Sequence, residues 1–160
     1  MQLIKAFPPE RFAGALDSWR WAGVEGKTPA FASLFGDVFL RGADGIWRLD
    51  TIGGTIEQRW PSMEALSAEL NTAEGQERYL LAGLAAEMAR RGLTPQDDQV
   101  YDFTHPPALG GAIEPDNVDV IDFVVGVNLA GQLHDQLRAL PPGTTIRAVS
   151  VDDGRLTIDS

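Results

Sequence analysis

Three runs of residues between positions 33 and 60 alternate apolar and polar side chains with the two-residue period of a half-buried strand. They occupy 33–41, 46–50 and 55–60. Asp44-Gly45 lies between the first two runs and Gly53-Gly54 between the last two, and both pairs favour tight turns. The pattern therefore predicts a three-stranded antiparallel meander over 33–60.

Before the meander, apolar residues at helical spacing predict one helix followed by a loop. Pro8 and Pro9 suit the first turn of a helix, where a missing N–H group costs nothing. Gly23 and Gly26 end this helix, and the segment 24–32 is predicted to be a loop.

After the meander, the apolar spacing predicts two further helices, over 63–70 and 74–91. Ser62 stands where its hydroxyl group can cap the first of them. Gly92 follows the second, at the position where many helices end in a left-handed glycine.

The segment 118–140 begins with β-branched residues and continues with leucines at helical spacing. We predict a short strand over 118–122 and then a helix to about residue 139. A strand that lasts to residue 127 is the alternative, because β-branched residues continue to that point.

Two other segments are predicted to contain strands. Tyr101 and Phe103 lie in a short apolar stretch that is predicted to be a strand, and the rest of 93–117 is predicted to be an ordered loop. Near the C-terminus, apolar residues alternate on both sides of Asp153-Gly154, which predicts a hairpin.

These elements predict an α+β fold, in which the meander and the C-terminal hairpin form antiparallel sheet that packs with three to four helices. The chain has 160 residues, which is typical of one domain. Apolar residues make up 44% of it, enough to bury a core without disulfides or metal. We therefore expect residues 1–160 to form a single domain.

Composition excludes several chemistries. The chain has no cysteine and only two histidines, so thiol catalysis, disulfides and three-histidine metal sites are excluded. We predict no cofactor and no metal. No apolar run approaches the roughly 18 residues of a membrane helix, and the N-terminus lacks the features of a signal peptide. We therefore expect a cytoplasmic protein that does not bind a membrane.

The charge balance narrows the choice of partner. Thirteen basic and 23 acidic residues give a net charge of −10. Such a chain repels the phosphates of nucleic acid and suits a basic partner. Six residues are candidates for contact with that partner, although a solvated acidic surface is the alternative interpretation. They are Trp21, Asp97, Asp98, Asp116, Asp119 and Asp122. Trp21 is included because Trp19 and Trp21 cannot both face inward from one helix.

No catalytic motif is present, and we assign no catalytic residue. His105, Gln132 and His134 are candidates to line a pocket, in which a histidine could act as a base or a pH sensor. The alternative interpretation is structural: each histidine bonds a nearby backbone carbonyl or faces solvent.

The run 101–137 contains four distinctive pieces: Tyr101 with Phe103, PPALGG at 106–111, Asn117, and GQLHDQ at 131–136. With them, the run resembles the C-terminal domain of type VI secretion immunity proteins, which are bacterial proteins that accompany DNase toxins. Upstream, 35–57 is similar to the N-terminal part of the same proteins, which relates to a GAD-like domain. The resemblance divides the chain into a GAD-like part over about 5–75 and an immunity-type part over about 76–140.

The resemblance implies a non-catalytic protein that binds a cognate toxin and blocks its active site. From the charge we infer that an acidic inhibitor can occupy the basic surface of a DNase after electrostatically steered association. The alternative is a small-molecule-binding module or an unrecognised enzyme with a pocket near His105 and His134. A scaffold or regulatory partner with the same fold is a third possibility, and the oligomeric state stays open.

Overall fold

The computed structural model describes residues 2–160, which form five α-helices and nine β-strands. The helices are α1 (Pro9–Leu16), α2 (Met63–Leu70), α3 (Ala73–Leu80), α4 (Ala82–Arg90) and α5 (Phe123–Arg138). The strands are β1 (Ile4–Lys5), β2 (Thr28–Ser33), β3 (Val38–Gly42), β4 (Gly45–Asp50), β5 (Thr55–Trp60), β6 (Gln99–Phe103), β7 (Val118–Asp122), β8 (Ala148–Asp152) and β9 (Arg155–Asp159). A 3-10 helix over Asp17–Ala22 continues α1. The α+β prediction is confirmed.

The main sheet has five antiparallel strands in the order β1-β2-β3-β4-β5. The predicted meander is therefore only part of it, and the predicted loop over 24–32 is wrong, because Thr28–Ser33 forms β2. The small residues and Pro29 hide this strand from a periodicity analysis. Strand β2 is stabilised by its pairing with β3, in which Phe31 and Phe39 are cross-strand neighbours.

The predicted helix over 74–91 is two helices. Leu81 adopts left-handed backbone angles, with φ at 51°, and separates α3 from α4. The break lets the two helices bury side chains in different clusters: Leu80 packs beside Trp60 of the sheet, whereas Met88 packs with Tyr101 of β6. No glycine or proline marks residue 81, so the sequence holds no local signal for this turn.

Other local predictions are confirmed. The hydroxyl oxygen of Ser62 accepts a hydrogen bond from the N–H of Ala65 at 3.1 Å and caps α2. The segment 118–140 resolves into β7 and α5, as predicted, and the carboxylate of Asp122 caps α5 at the junction. The C-terminal hairpin is β8 and β9, with its turn at Asp153-Gly154.

The main sheet lies between helices. One face buries Val38, Leu40 and Leu49 against α1 and α5, and the other face packs against α2 and α3. Strands β6 and β7 form a separate antiparallel pair, which we call the acidic ribbon together with its flanking residues 97–98 and 115–117. The ribbon is held between α4 and α5 by apolar side chains of its opposite faces.

Helix α5 approaches the 3-10 helix unusually closely. The fully buried indole of Trp19 donates its N–H to the carbonyl of Val127 at 2.8 Å, and the Ser18 hydroxyl donates to the carbonyl of Asn128 at 2.6 Å. A Cβ atom on Gly131 would lie 2.8 Å from Trp19 Nε1. Glycine is therefore required at this contact for steric reasons.

We expect Gly131→Ala to destabilise the protein by about 1–2 kcal/mol, since overpacking outweighs the better helix propensity of alanine. Gly83→Ala is the matched control, because Gly83 is an exposed helical glycine whose added Cβ would meet only the flexible end of Glu77. It should stabilise by up to about 1 kcal/mol. Urea unfolding measures both, and equal effects would contradict this account of the helix contact.

Candidate functional site

The most unusual charge feature of the chain is a segment without cations. From Gly92 to Leu137 the chain has eight acidic residues and no lysine or arginine. The acidic residues are Asp97, Asp98, Asp102, Glu114, Asp116, Asp119, Asp122 and Asp135. This segment forms the acidic ribbon, its connecting loop and nearly all of α5. Any neutralising cation must therefore come from elsewhere in the chain or from a partner.

At one end of the ribbon, the chain supplies two such cations. Arg11 of α1 lies 2.6 Å from the carboxylate of Asp122 and 3.9 Å from that of Asp98. Partial burial opposes ionisation of Asp122, but hydrogen bonds from Arg11 and the backbone outweigh it and lower its pKa. Lys5 donates to the carbonyl of Gln99 at 2.7 Å. This end of the ribbon is partly neutralised.

At the other end, Arg91, which follows α4, lies 2.8 Å from the carboxylate of Asp116. Asp97 adjoins Asp98 at the first end, is exposed, and forms no ion pair with any residue of 2–160, although its charge acts on Lys5. The predicted contact residues of the ribbon thus differ in kind: Asp98, Asp116 and Asp122 have close internal partners, whereas Asp97 has only the longer-range attraction of Lys5.

The middle of the ribbon places two carboxylates opposite each other. Asp102 of β6 and Asp119 of β7 are cross-strand neighbours, and neither forms an ion pair with a described residue. Like charges in this position are destabilising. Burial, reinforced by the charge of Asp119, raises the pKa of Asp102 from 3.8 to about 6. Asp102 is not among the contact residues predicted from the sequence, because its pairing with Asp119 depends on the register of the two strands.

Asp102 also lines a cavity of about 800 Å³. One wall is β6, a second is the face of α5 that includes Leu133, and the outer wall is the segment 144–149 with part of the C-terminal hairpin. Both predicted pocket histidines, His105 and His134, line this cavity. The volume lies in the range of pockets that hold small ligands.

His134 is held by the main sheet. Its Nε2 lies 2.9 Å from the carbonyl oxygen of Thr51, which can only accept, so Nε2 is the donor in this contact. Thr51 is held in turn by the buried carboxylate of Asp37, which accepts from its N–H at 2.9 Å and from its hydroxyl at 2.7 Å. Asp37 is paired with Arg48 at 2.6 Å. His134 thus has the structural role of joining α5 to the sheet.

His105 bonds its own loop, since its Nε2 lies 3.1 Å from the carbonyl oxygen of Leu109. Both histidines therefore make the backbone contacts that the structural interpretation expects. Neither has a carboxylate within ion-pairing distance among the described residues.

Gln132, the third predicted pocket residue, lies outside this cavity. Its amide nitrogen donates to the carbonyl of Gly154, and its amide oxygen accepts from the N–H of Leu156, both at 2.8 Å. Gln136, one helical turn later, bonds the carbonyl of Leu156 and the N–H of Ile158 in the same way. The two amides bind the hairpin backbone as a neighbouring strand would. Their spacing of four residues was the only sequence signal for this role.

Trp21 lies apart from the acidic residues. It is half-buried, it stacks on Trp19 at 5.6 Å, and the guanidinium of Arg138 covers it at 4.6 Å. Arg138 ends α5 and Asp122 immediately precedes it, so about 24 Å of helix separates them. The structure does not bring Trp21 and the acidic ribbon into one compact patch.

Together, these features define an α+β protein in which an acidic strand pair borders a cavity. Among residues 2–160, no group of three or more histidine, aspartate or glutamate side chains is arranged to hold a metal ion. No helix of the described chain is long and apolar enough to cross a membrane.

Comparison with known families agrees with the resemblance found in the sequence. Residues 62–134 match the family model described as T6SS immunity protein Tdi1, C-terminal. The match covers just under half of the chain, and this part is similar to the C-terminal domain of type VI secretion immunity proteins. It contains β6, β7 and most of α5. No curated protein matches the chain.

The fold is shared with proteins of known structure. The crystal structure of Atu4351 from Agrobacterium tumefaciens superposes with a TM-score of 0.52 at 16% sequence identity. The match covers 81% of this chain and 66% of that protein, so the present chain spans slightly less than two thirds of its relative. At this identity the match establishes the fold alone.

We expect Asp102→Asn to stabilise the protein by up to about 3 kcal/mol at a pH of about 8. The carboxyl titrates at 3.8 ordinarily and at about 6 in the folded protein, so the folded state holds the proton more tightly. Stability is therefore lost as pH rises through about 6. Asparagine does not titrate, and its advantage should vanish below a pH of about 4.

Urea unfolding across this pH range measures the effect. Asp44→Asn is the matched control, because Asp44 is exposed in a turn and Asn-Gly is as favourable there as Asp-Gly. If the free energies of unfolding of Asp102→Asn and of the wild type change with pH in the same way, the carboxylate of Asp102 does not lie in an unfavourable environment.

Proposed function

We propose that this protein is a non-catalytic immunity protein that neutralises a cognate toxin, a DNase, by covering the toxin's basic surface. The observation that carries the proposal is the overlap between the family match over 62–134 and the segment without lysine or arginine. Residues 92–134, which belong to the region related to immunity proteins, thus carry seven acidic residues and no lysine or arginine.

The charge arrangement gives the proposal a physical basis. An enzyme that acts on DNA has to present a basic surface to the phosphates. An acidic ribbon matches such a surface and speeds association through long-range attraction. Exposed ion pairs contribute little to affinity, so the ribbon's main effect is on the rate of association.

The proposed contact residues contribute unequally. Asp97 and Asp119 form no ion pair with a residue of 2–160 and can meet a basic surface without breaking one, although Asp97 is attracted by Lys5. Asp98 and Asp122 would first have to share Arg11, and Asp116 would have to share Arg91. Trp21 would join the contact only if the toxin extends along the whole of α5.

The first experiment is a tagged pull-down from the lysate of the native bacterium, at low and at high salt, with mass spectrometry of the eluate. The proposal requires a stoichiometric basic partner that is lost at high salt and whose nuclease activity the protein inhibits. A captured protein that it does not inhibit gives no support. Failure to capture any partner at either salt would contradict the proposal.

With the toxin in hand, we expect the double variant Asp97→Asn/Asp119→Asn to lower the association rate constant roughly three- to tenfold at low salt. The difference should shrink as salt rises, because exposed charges are screened. Asp44→Asn/Glu25→Gln is the control, since it removes the same charge from exposed sites outside the ribbon. Stopped-flow or surface-based kinetics measure the rates. Equal rates for both double variants would remove the electrostatic part of the proposal.

A second candidate function is the binding of a small molecule in the cavity, with or without chemistry. It is favoured by one observation, that His105 and His134 line the same cavity. A thermal-shift screen of metabolites tests it. A stabilising compound must lose its effect in His105→Ala, and a screen without such a compound leaves the candidate without support.

A further inference from the structure

The cavity beside α5 contains a carboxylate that forms no ion pair with any residue of 2–160. Asp102 is half-buried, it faces Asp119 across the ribbon, and no described residue forms an ion pair with either. Buried charges are normally paired, because leaving one unpaired costs more than the pair itself gains. This site therefore lacks a cation.

The other charged or titratable groups around the cavity do not supply it. His105 and His134 direct Nε2 to backbone carbonyls. Arg147 belongs to the outer wall and forms no ion pair with a described residue. The cavity stays open, with about 800 Å³ available between these walls.

We propose that this cavity receives an arginine side chain of the bound partner and that Asp102 pairs with its guanidinium. The inference rests on the proposed function, because it names the chemistry of the toxin's contact. The acidic residues of this surface then have two different roles in binding the partner. The exposed acids of the ribbon steer the partner, whereas Asp102 holds it.

The walls favour arginine over lysine. The lining from α5 and the hairpin is largely apolar, with Val127, Leu133 and Leu156 among its members. A guanidinium is more weakly hydrated than an ammonium group and binds a carboxylate through two parallel hydrogen bonds. Its methylene stem can lie along the apolar wall. A lysine ammonium group would lose more hydration energy than a guanidinium and could not form the two parallel hydrogen bonds to the carboxylate.

A pair inside a cavity also behaves differently from a pair on the surface. Surrounding residues exclude water from it, so its loss is felt in the dissociation rate more than in the association rate. We therefore expect Asp102→Asn to speed dissociation of the toxin complex about tenfold or more while association changes little. Asp97→Asn/Asp119→Asn should do the reverse.

The decisive test uses the isolated protein and needs no toxin. The probes are N-acetyl-arginine amide, its lysine counterpart and its neutral isostere N-acetyl-citrulline amide. Binding is followed by NMR shifts of Asp102 and of the cavity residues at a pH above 7. We expect saturable shifts with the arginine probe, weaker ones with lysine and none with citrulline.

Variants locate the site. Asp102→Asn should reduce the affinity for the arginine probe about tenfold, and Asp44→Asn should leave it unchanged. Arg147→Gln should keep or strengthen binding, because it removes a competing cation from the outer wall. The stability measurement described above shows whether the Asp102 variant is folded.

Equal binding of arginine and citrulline, no binding up to the solubility of the probe, or unchanged binding by Asp102→Asn would each overturn the inference. Its failure is distinct from failure of the proposed function. If the protein neutralises a toxin, and the toxin dissociates from Asp102→Asn at the wild-type rate, only the arginine contact is overturned. Failure to find any toxin overturns the proposed function, whatever the probe shows.

Discussion

The arrangement of the molecule depends on the buried hydrogen bond from the Trp19 indole to the carbonyl of Val127. It joins the N-terminal helices to the middle of α5, and Gly131 provides the space that the indole needs. Helix α5 then contacts α1, both strands of the acidic ribbon and the C-terminal hairpin. Its position therefore sets the positions of all three walls of the cavity.

The beginning, middle and end of α5 contact different parts of the molecule. Its first residue follows Asp122, which belongs to the acidic ribbon and caps the helix. Its middle lines the cavity with apolar side chains, and His134 ties it to the sheet through Thr51. Its last turns hold the hairpin through glutamine amides. The helix thus presents an acidic end, an apolar face and a polar face to three separate neighbours.

The acidic ribbon contradicts the usual rules of strand pairing at one point. Asp102 and Asp119 face each other although like charges destabilise such a pair. Natural chains tend to break local rules at functional sites and to compensate elsewhere. The apolar contacts of Tyr101 and Phe103 on either side of Asp102 provide that compensation, because both side chains are buried. The proposed arginine contact would relieve this repulsion and so link stability to partner binding.

The sequence by itself determined what local patterns specify: the inner strands of the sheet, the Ser62 cap, the hairpin at Asp153-Gly154 and the resemblance to immunity proteins. These depend on neighbours within a few residues. Tertiary structure alone decided the strand Thr28–Ser33, the break at Leu81, the position of Gln132 outside the cavity and the opposition of Asp102 and Asp119. Each of these depends on strand register or on packing between segments distant in the chain, and a one-dimensional pattern contains neither.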